Sequence, residues 1–306
     1  MTGFVLRRLG ESLLAVWGVV TIVFFVTRIL GDPAALLLPI GATEADIQAL
    51  RAQLGLDQPM ILQYGQFLLN AVQGDFGTSF QHGRDAMQVV LERLPATAQL
   101  AFTSIFLGLI IGAIAGSIAA LKRGKAIELV VMAVALLGQA TPVFWLGIML
   151  ILFFAVNLGW LPTGGYGTWA HLVLPAFTLA VFVSASIARL LRSSMLDILK
   201  EDYIRTAKAK GLLRHTVFFW HVARNALIPV VTMTAILTGE LLGGSVVTET
   251  VFSWPGIGRL IIQAIEAKDF PVIQAGITLI ATIFVLINFL VDLLYGVLDP
   301  RIRANR

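Results

Sequence analysis

The chain alternates between long apolar runs and shorter polar segments. Six runs are long enough to cross a bilayer, because about 20 apolar residues at a helical rise of about 1.5 Å span the hydrocarbon layer. They extend approximately over Leu9–Leu30, Thr97–Leu121, Ile127–Val156, Leu172–Leu191, Ala226–Thr248 and Val272–Val297. Each must be helical, since hydrocarbon offers no partners for free backbone groups. The pattern therefore predicts an all-α polytopic membrane protein with six transmembrane helices.

A mostly polar segment, residues 31–95, separates the first two runs. Thr43 begins a capped amphipathic pattern that ends at Gly55 and predicts a short helix. Its apolar positions are Ile47, Leu50 and Leu54. A second helix is predicted over Ile61–Val72, followed by a turn at residues 74–77. We expect a small extracytoplasmic helical insertion, which is either a structural cap or a substrate-handling element.

The composition agrees with a membrane protein. Hydrophobic residues make up 58% of the chain and charged residues 13%, whereas about 25% charged residues is usual in soluble domains. No cysteine is present, which excludes disulfides, thiolate zinc sites and cysteine nucleophiles. The net charge of +4 is explained by basic residues that cluster on one side of a membrane, so nucleic-acid binding is not expected.

The positions of Lys and Arg predict the orientation. With the N-terminus in the cytoplasm, only six of the 22 basic residues face outward, and these are Arg28, Arg51, Arg84, Arg93, Arg259 and Lys268. The positive-inside rule therefore favours both termini in the cytoplasm. We expect the first run to be a retained span and not a cleaved signal peptide, because it is long and lacks a small-x-small cleavage pattern.

Small residues within the runs predict helix packing. Gly108, Gly112 and Gly116 recur every fourth residue in the second run, which gives one helix face a smooth surface for close contact. Gly239 and Gly243 do the same in the fifth run. These glycines predict contacts between helices and no catalytic or binding role.

Three polar residues within the runs are candidates for lining a translocation pathway. Glu240 lies beside the small face of the fifth run, and a carboxylate inside a bilayer is costly unless it is paired, protonated or wetted. Gln139 and Thr141 precede Pro142 in the third run, which predicts a kinked polar spot. The alternatives are a hydrogen bond from Glu240 to a neighbouring helix or subunit, and a Pro-broken helix whose polar groups are satisfied locally.

Two loops on the outer side are rich in aromatic residues, Gly and Pro. Residues 251–259 contain candidate contacts for a partner protein, which are Trp254, Pro255, Gly256, Gly258 and Arg259. Trp254 is either a headgroup-level anchor or part of a segment that re-enters the bilayer. For residues 159–165 we expect an anchored loop.

The cytoplasmic loop at about residues 192–225 is the most informative polar segment. Its candidate contact residues are Asp202, Tyr203, Arg205, Thr206, Ala207, Lys208, Ala209, Lys210, Gly211 and Leu212. Small residues at 207, 209 and 211 allow close approach of another protein, and the basic residues direct charge toward it. The pattern predicts a surface on which a partner protein pushes.

The chain lacks the common motifs of catalysis. It contains no Gly-x-x-x-x-Gly-Lys-Ser/Thr loop for phosphate and no Gly-x-Ser-x-Gly elbow. Its four histidines are scattered and have no metal-ligand spacing. We therefore assign no catalytic residue and no metal site, and energy must come from another polypeptide.

Read together, several segments resemble the first permease subunit of ABC importers for dipeptides, oligopeptides, glutathione and nickel. They are residues 54–59, 74–77, 202–229, 252–259 and 295–301, so the resemblance covers nearly the whole chain. In that family the cytoplasmic loop is called the EAA loop, after Glu-Ala-Ala followed by Gly. Here Arg205-Thr206-Ala207 occupies the position of Glu-Ala-Ala and Gly211 is in place, so no acidic role is carried over to position 205.

The resemblance implies a type I ABC importer transmembrane domain. It implies a first transmembrane helix (1–30), an extracytoplasmic segment (31–95), a transmembrane core (96–298) and a cytoplasmic tail (299–306). The helix of the cytoplasmic loop is expected to dock in an ATPase groove and to end at Gly211. Closure of two ATPases then switches the paired permeases between inward- and outward-facing states.

The resemblance also implies partners and a location. A second homologous permease, two ABC ATPases and an extracytoplasmic solute-binding protein are expected in the bacterial inner membrane. ATP and Mg bind to the ATPases, and this chain binds no cofactor. Short peptides or glutathione-like peptides are the expected substrates, with opine-like compounds and nickel as alternatives.

Two other functions are consistent with six spans. A secondary transporter would rely on half-helices, acid/base relays or inverted repeats, and the chain has one interior carboxylate candidate and no evident repeat. A channel or a structural subunit would bind no ATPase. Uptake that survives ATP depletion with the proton gradient intact distinguishes the first alternative, and a pull-down distinguishes the second.

Overall fold

A computed structural model of the chain describes residues 2–31, 34, 38, 42–53 and 55–298. Within these ranges the chain is helical and forms no strand, apart from one isolated bridge between Thr78 and Asp85. In chain order the helices are α1 (Thr2–Leu30), α2 (Glu44–Gln53), α3 (Met60–Val72), α4 (Ala86–Leu91), α5 (Leu94–Leu121), α6 (Ala126–Ala140), α7 (Val143–Leu150), α8 (Trp169–Ile198), α9 (Asp202–Ala209), α10 (Arg224–Gly244), α11 (Val246–Val251), α12 (Ile257–Glu266) and α13 (Phe270–Leu298). One π-helical segment, Ile151–Asn157, follows α7. The other, Val217–Ala223, follows a single helical turn, Arg214–Thr216, and precedes α10.

Five of the six predicted spans correspond to helices that are long and apolar enough to cross a membrane. The third predicted run is different, because α6 and the segment Val143–Asn157 meet at an angle of 102°. Thr141 has an extended conformation at the break, as expected for a residue before proline, and Pro142 has no N–H with which to continue the helix. The third predicted span is thus a bent pair of helical segments, and the predicted site of the kink at Pro142 is confirmed.

The chain divides into two compact units. One contains the residues up to Thr97 together with Pro255–Phe289, and the other contains Ala98–Trp254 together with the residues from Leu290 onward. The predicted tail, residues 299–306, and Leu54 lie outside the described residues.

The first unit has a hydrophobic core that α4, α12 and the beginning of α13 share. Helix α12 buries one face, on which apolar residues recur at helical spacing: Ile257, Leu260, Ile261 and Ala264. Beside this core the buried Asp269 carboxylate accepts hydrogen bonds from the Ser79 hydroxyl (2.5 Å) and from the backbone N–H groups of Phe80 and Gln81 (both 3.1 Å). These bonds offset the cost of burying the charge.

Both helices predicted for residues 31–95 are present. Helix α2 has a reciprocal cap, in which the Thr43 N–H donates to Asp46 Oδ2 (2.9 Å) and the Asp46 N–H donates to Thr43 Oγ1 (3.3 Å). It ends at Gly55, whose φ is +64°. Helix α3 packs on α1, where the hydroxyls of Thr21 and Tyr64 lie 2.7 Å apart. The extracytoplasmic location of these helices stays a prediction.

In the second unit the glycine repeat packs α5 directly against the backbone of α8. A Cβ atom on Gly112 would lie 2.7 Å from the carbonyl oxygen of Ser184, and one on Gly116 would lie 2.6 Å from that of Ala188. One on Gly108 would meet Val183 at 2.6 Å. The predicted smooth face is confirmed, and the corresponding role of Gly239 and Gly243 stays a prediction.

Candidate functional site

The predicted contact loop forms a short amphipathic helix, α9. It begins after the extended residue Glu201, with Asp202 in its first turn and Lys208 in its last. This arrangement of charge complements the helix dipole. Ile204 and Ala207 are the buried residues of the helix, and they are three positions apart on one face.

The C-terminal end of α9 is a Schellman motif. The N–H of Gly211 donates to the carbonyl of Lys208 (3.0 Å), and the N–H of Leu212 donates to that of Ala207 (3.3 Å). Gly211 has a φ of +76°, a left-handed conformation that a residue without Cβ adopts at little cost. The prediction that Gly211 ends the helix is confirmed.

Helix α9 is attached to the segment that leads into the fifth span. Its buried side packs against the π-helical segment Val217–Ala223. At the start of α10 the Asn225 side-chain amide donates to the Tyr203 hydroxyl (3.3 Å) and to the carbonyl of His221 (2.8 Å). Helix α9 is therefore connected to the beginning of α10 by side-chain packing and by a hydrogen bond.

The small residues of the loop have different roles. Ala209 and Gly211 are exposed, as a docking surface requires. Ala207 is buried within this chain, so its small side chain serves internal packing. The interpretation of Ala207 as a point of close approach for another protein was wrong.

The outward face of α9 is polar and basic. Its exposed residues are Asp202, Tyr203, Arg205, Thr206, Lys208 and Ala209, and Lys210, Gly211 and Leu212 continue the surface. Arg205 and Asp202 lie 3.4 Å apart, but both side chains are almost fully exposed, so their attraction is weak. Lys208 also borders a cavity of about 520 Å³ together with Leu212 and Phe218. The surface thus combines charge with an adjacent apolar recess.

The candidate pathway residues lie in two places. Gln139 and Thr141 are at the 102° break after α6, where Thr141 Oγ1 donates to the carbonyl of Leu137 (2.7 Å). Gln139 Oε1 is buried and accepts no hydrogen bond from any described residue. Glu240 is exposed on α10, and among the described residues nothing bonds it to Gln139 or Thr141. The exposed Glu240 carboxylate is therefore accessible to another molecule, whereas the Gln139 Oε1 atom is enclosed by this chain.

The loop at residues 251–259, predicted on the outer side, is largely buried. Trp254 is 1% exposed, and its ring packs edge-on against Tyr166 at a centroid distance of 4.9 Å. Gly256 and Gly258 are buried as well, whereas Pro255 and Arg259 are half-buried. The predictions of Trp254 as a headgroup anchor and of Trp254, Gly256 and Gly258 as surface contacts were wrong, because buried residues cannot reach lipid or a docked partner.

Two loops that were predicted on the outer side interlock in the second unit. The N–H of Gly165 donates to the carbonyl of Phe252 (2.8 Å), and a Cβ atom on Gly164 would lie only 2.3 Å from the same oxygen. The Phe252 ring also packs on Gly147. The sequence pattern did not predict this junction, although the Gly164-Gly165 pair was a signal for close backbone approach.

Known families match the two parts of the chain. The family described as binding-protein-dependent transport system inner membrane component matches residues 108–304, and the family of the N-terminal part of such membrane components matches residues 1–101. The chain is 45% identical over 304 residues to the glutathione transport system permease protein GsiC of Escherichia coli strain K12, covering 99% of each chain. The protein of the same name from Shigella flexneri serotype 5b is equally similar, with the same coverage.

Solved structures with a similar fold are ABC transporters. An inward-facing form of the MetNI methionine ABC transporter matches with a TM-score of 0.56 and 21% identity, over 70% of this chain and 97% of that one. A second, an amino acid ABC transporter with histidines, matches with a TM-score of 0.52 and 18% identity, over 70% of this chain and 94% of that one. These likenesses show the fold. The chain belongs to the family of binding-protein-dependent transport system inner membrane components.

Proposed function

We propose that this member of the family, a multi-pass inner-membrane permease subunit, forms half of the pathway of an ATP-driven importer for di- and oligopeptides or glutathione-like peptides. The observation that carries the substrate class is the similarity over nearly the full length to a glutathione transport system permease protein. Peptides and glutathione share amide groups and a free carboxylate, so one pathway chemistry suits both.

The coupling surface of this proposal is the exposed face of α9. Ile204 and Ala207 fix the helix to its own chain, and Lys208 and Lys210 lie exposed. An ATPase groove that carries acidic side chains would attract this basic face. When ATP-driven closure moves the groove, α9 passes the displacement to α10 through the Asn225–Tyr203 hydrogen bond and the packed Val217–Ala223 segment.

The pathway of this proposal includes Gln139, Thr141 and Glu240. Its support is the unpartnered Oε1 of Gln139 at the helix break and the exposed carboxylate of Glu240. An exposed carboxylate hydrogen-bonds a passing peptide without holding it tightly, because water also reaches it. A second homologous permease supplies the other half of the pathway, and a solute-binding protein delivers the substrate.

The orientation of the chain in the membrane is also part of the proposal. Both termini and the α9 surface face the cytoplasm, where two separate ATPases bind ATP and Mg. The support is the concentration of Lys and Arg between Arg189 and Arg224.

Uptake measurements test this function. Cells that express the chain with its neighbouring transport genes should accumulate labelled glutathione or a labelled dipeptide, and ATP depletion should abolish accumulation. A strain that lacks only this chain is the control. Accumulation that persists without ATP while the proton gradient is intact would show a secondary transporter instead, and uptake of neither peptide would overturn the substrate class.

A further inference from the structure

A groove in the second unit lies between the beginning of α6 and the C-terminal half of α8. Its volume is about 660 Å³. The lining has two parts. We call the cationic part, at the start of α6, the mouth, and it contains Lys125, Arg189 and Arg192. The apolar part contains Leu129, Met132 and Leu136. None of these residues belongs to the α9 surface or to the candidate pathway.

An ion pair across the mouth joins the two helices. The Glu128 carboxylate in the first turn of α6 accepts hydrogen bonds from the Arg192 guanidinium of α8, through Nε at 2.8 Å and through a second nitrogen. It also accepts from the N–H of Gly124 (2.6 Å). The pair fixes the spacing of the helices, so the groove is a preformed feature.

The mouth carries a large excess of positive charge. The basic residues of the turn and of α8 are Lys122, Arg123, Lys125, Arg189 and Arg192, and Glu128 is the one carboxylate bonded to them among the described residues. Lys125 and Arg189 are exposed and make no ion pair with any described residue. Two cations at the mouth are thus available to an anionic group.

The remainder of the groove is apolar. Leu129, Met132 and Leu136 follow one face of α6 at helical spacing, over about 10 Å at a rise of about 1.5 Å per residue. Leu129 is 73% exposed and Leu136 is 58% exposed. An inorganic anion would satisfy only the mouth, whereas a molecule with a phosphate and a hydrocarbon chain would satisfy both parts.

We propose that this groove binds an anionic phospholipid of the phosphatidylglycerol type. The phosphate lies between Lys125 and Arg189, and one acyl chain follows Leu129, Met132 and Leu136 into the bilayer. Basic pockets between transmembrane helices suit anionic head groups. The site requires only that the turn before α6 lie at a membrane surface, which holds in either orientation, so it does not depend on the proposed substrate.

Native mass spectrometry of the full-length chain, extracted in mild detergent with its bound subunits, tests the site. Titration with phosphatidylglycerol should give saturable binding, and phosphatidylcholine should bind more weakly. The double variant Lys125→Gln, Arg189→Gln should weaken phosphatidylglycerol binding about 30-fold, at about fivefold for each charge. The matched control, Arg7→Gln with Lys200→Gln, removes two charges outside the groove and should retain binding. Equal affinity in both double variants would overturn the proposal.

Two further experiments identify the molecule that binds in the groove. Inorganic phosphate and glycerophosphoglycerol, which lacks acyl chains, should not displace the lipid at equal concentration, and displacement by either would show a simple anion site. Because the native chain has no cysteine, Leu129→Cys provides a single thiol in the groove. Photo-cross-linking of a maleimide–benzophenone label on this thiol to phosphatidylglycerol supports the proposal, whereas cross-linking to another subunit shows a protein interface and overturns it.

Discussion

Two glycine-containing turns, one at the end of α9 and one in the interlocked outer loops, use glycine for opposite reasons. At Gly211 the backbone is left-handed with a φ of +76°, and nothing lies within 4 Å of an added Cβ atom. At Gly164 an added Cβ atom would lie 2.3 Å from the Phe252 carbonyl oxygen. Glycine is thus required by conformation in the first turn and by close approach in the second.

The two turns also differ in exposure, since one belongs to an external surface and the other to an internal junction. The α9 turn leaves Arg205, Lys208 and Lys210 exposed, so another protein can reach it. The outer loop buries Phe252 and Trp254, so it supports the fold of this chain. Similar local sequence features therefore mark a docking surface in one place and a structural joint in the other.

The largest effect is expected at the outer junction. Gly164→Ala should lower the free energy of unfolding by about 3 kcal/mol, because a backbone carbonyl cannot move away from the new methyl group without a loop shift. Thermal unfolding of the protein in detergent measures the change. Gly18→Ala is the control, since nothing lies within 4 Å of a Cβ atom there. Equal stability of the two variants would show that the loops do not interlock.

A pair of substitutions on α9 should separate the inward face from the outward face. Ala207→Leu should destabilise the chain by about 2 kcal/mol, since position 207 is buried and three more carbons would overpack the interface beneath α9. Ala209→Leu should leave the unfolding temperature unchanged and reduce peptide uptake, because position 209 is exposed. If Ala207→Leu were stable and Ala209→Leu were fully active, α9 would not be a docking helix.

Substitution of Gly211 should affect the coupling of ATP hydrolysis to uptake more than the stability of the chain. Gly211→Val should reduce peptide uptake about tenfold at an unchanged membrane level, because a β-branched residue in the left-handed region costs about 1–2 kcal/mol and displaces the helix end. ATP hydrolysis by the assembled transporter should continue. Gly211→Asn should retain most uptake, since Asn tolerates this conformation. Equal uptake by the Val and Asn variants would contradict a conformational role for Gly211.

The smallest effect is expected at the exposed cap of α2. Hydrogen bonds from the side chain and the backbone of Thr43 hold the pKa of the Asp46 carboxyl below its usual value of 3.8. A lowered pKa in the folded state means that the cap contributes fully above pH 3.8 and is lost as the pH falls through the folded-state pKa. Thr43→Ala should reduce this acid-dependent part of the stability, because it removes the hydroxyl donor and keeps the backbone N–H donor. The unfolding temperatures of the two proteins are measured between pH 5 and about 3. If both fall equally steeply as the pH is lowered, the Thr43–Asp46 cap makes no pH-dependent contribution to stability.

The sequence predicted those features that depend on local chemistry. The length of the apolar runs required membrane helices, the Thr43 cap and Gly55 bounded α2, and the glycine repeat of α5 predicted contact with another helix. Gly211 ended α9 as expected, since no other common residue has the same freedom at positive φ. The family resemblance was also confirmed, because it depended on the order of many short motifs along the chain.

The tertiary structure decided which side of each element is exposed. Ile204 and Ala207 share one face of α9, but the sequence did not show whether that face packs within the chain or against a partner. Pro142 predicted a bend in the third run, but the 102° angle depends on how α7 packs against its neighbours. Trp254 was interpreted as an anchor because aromatic residues are common at membrane surfaces, and only its contact with Tyr166 shows that it is buried. Local sequence thus determined the helices and their ends, whereas burial and close approach depend on residues distant in the chain and required the folded structure.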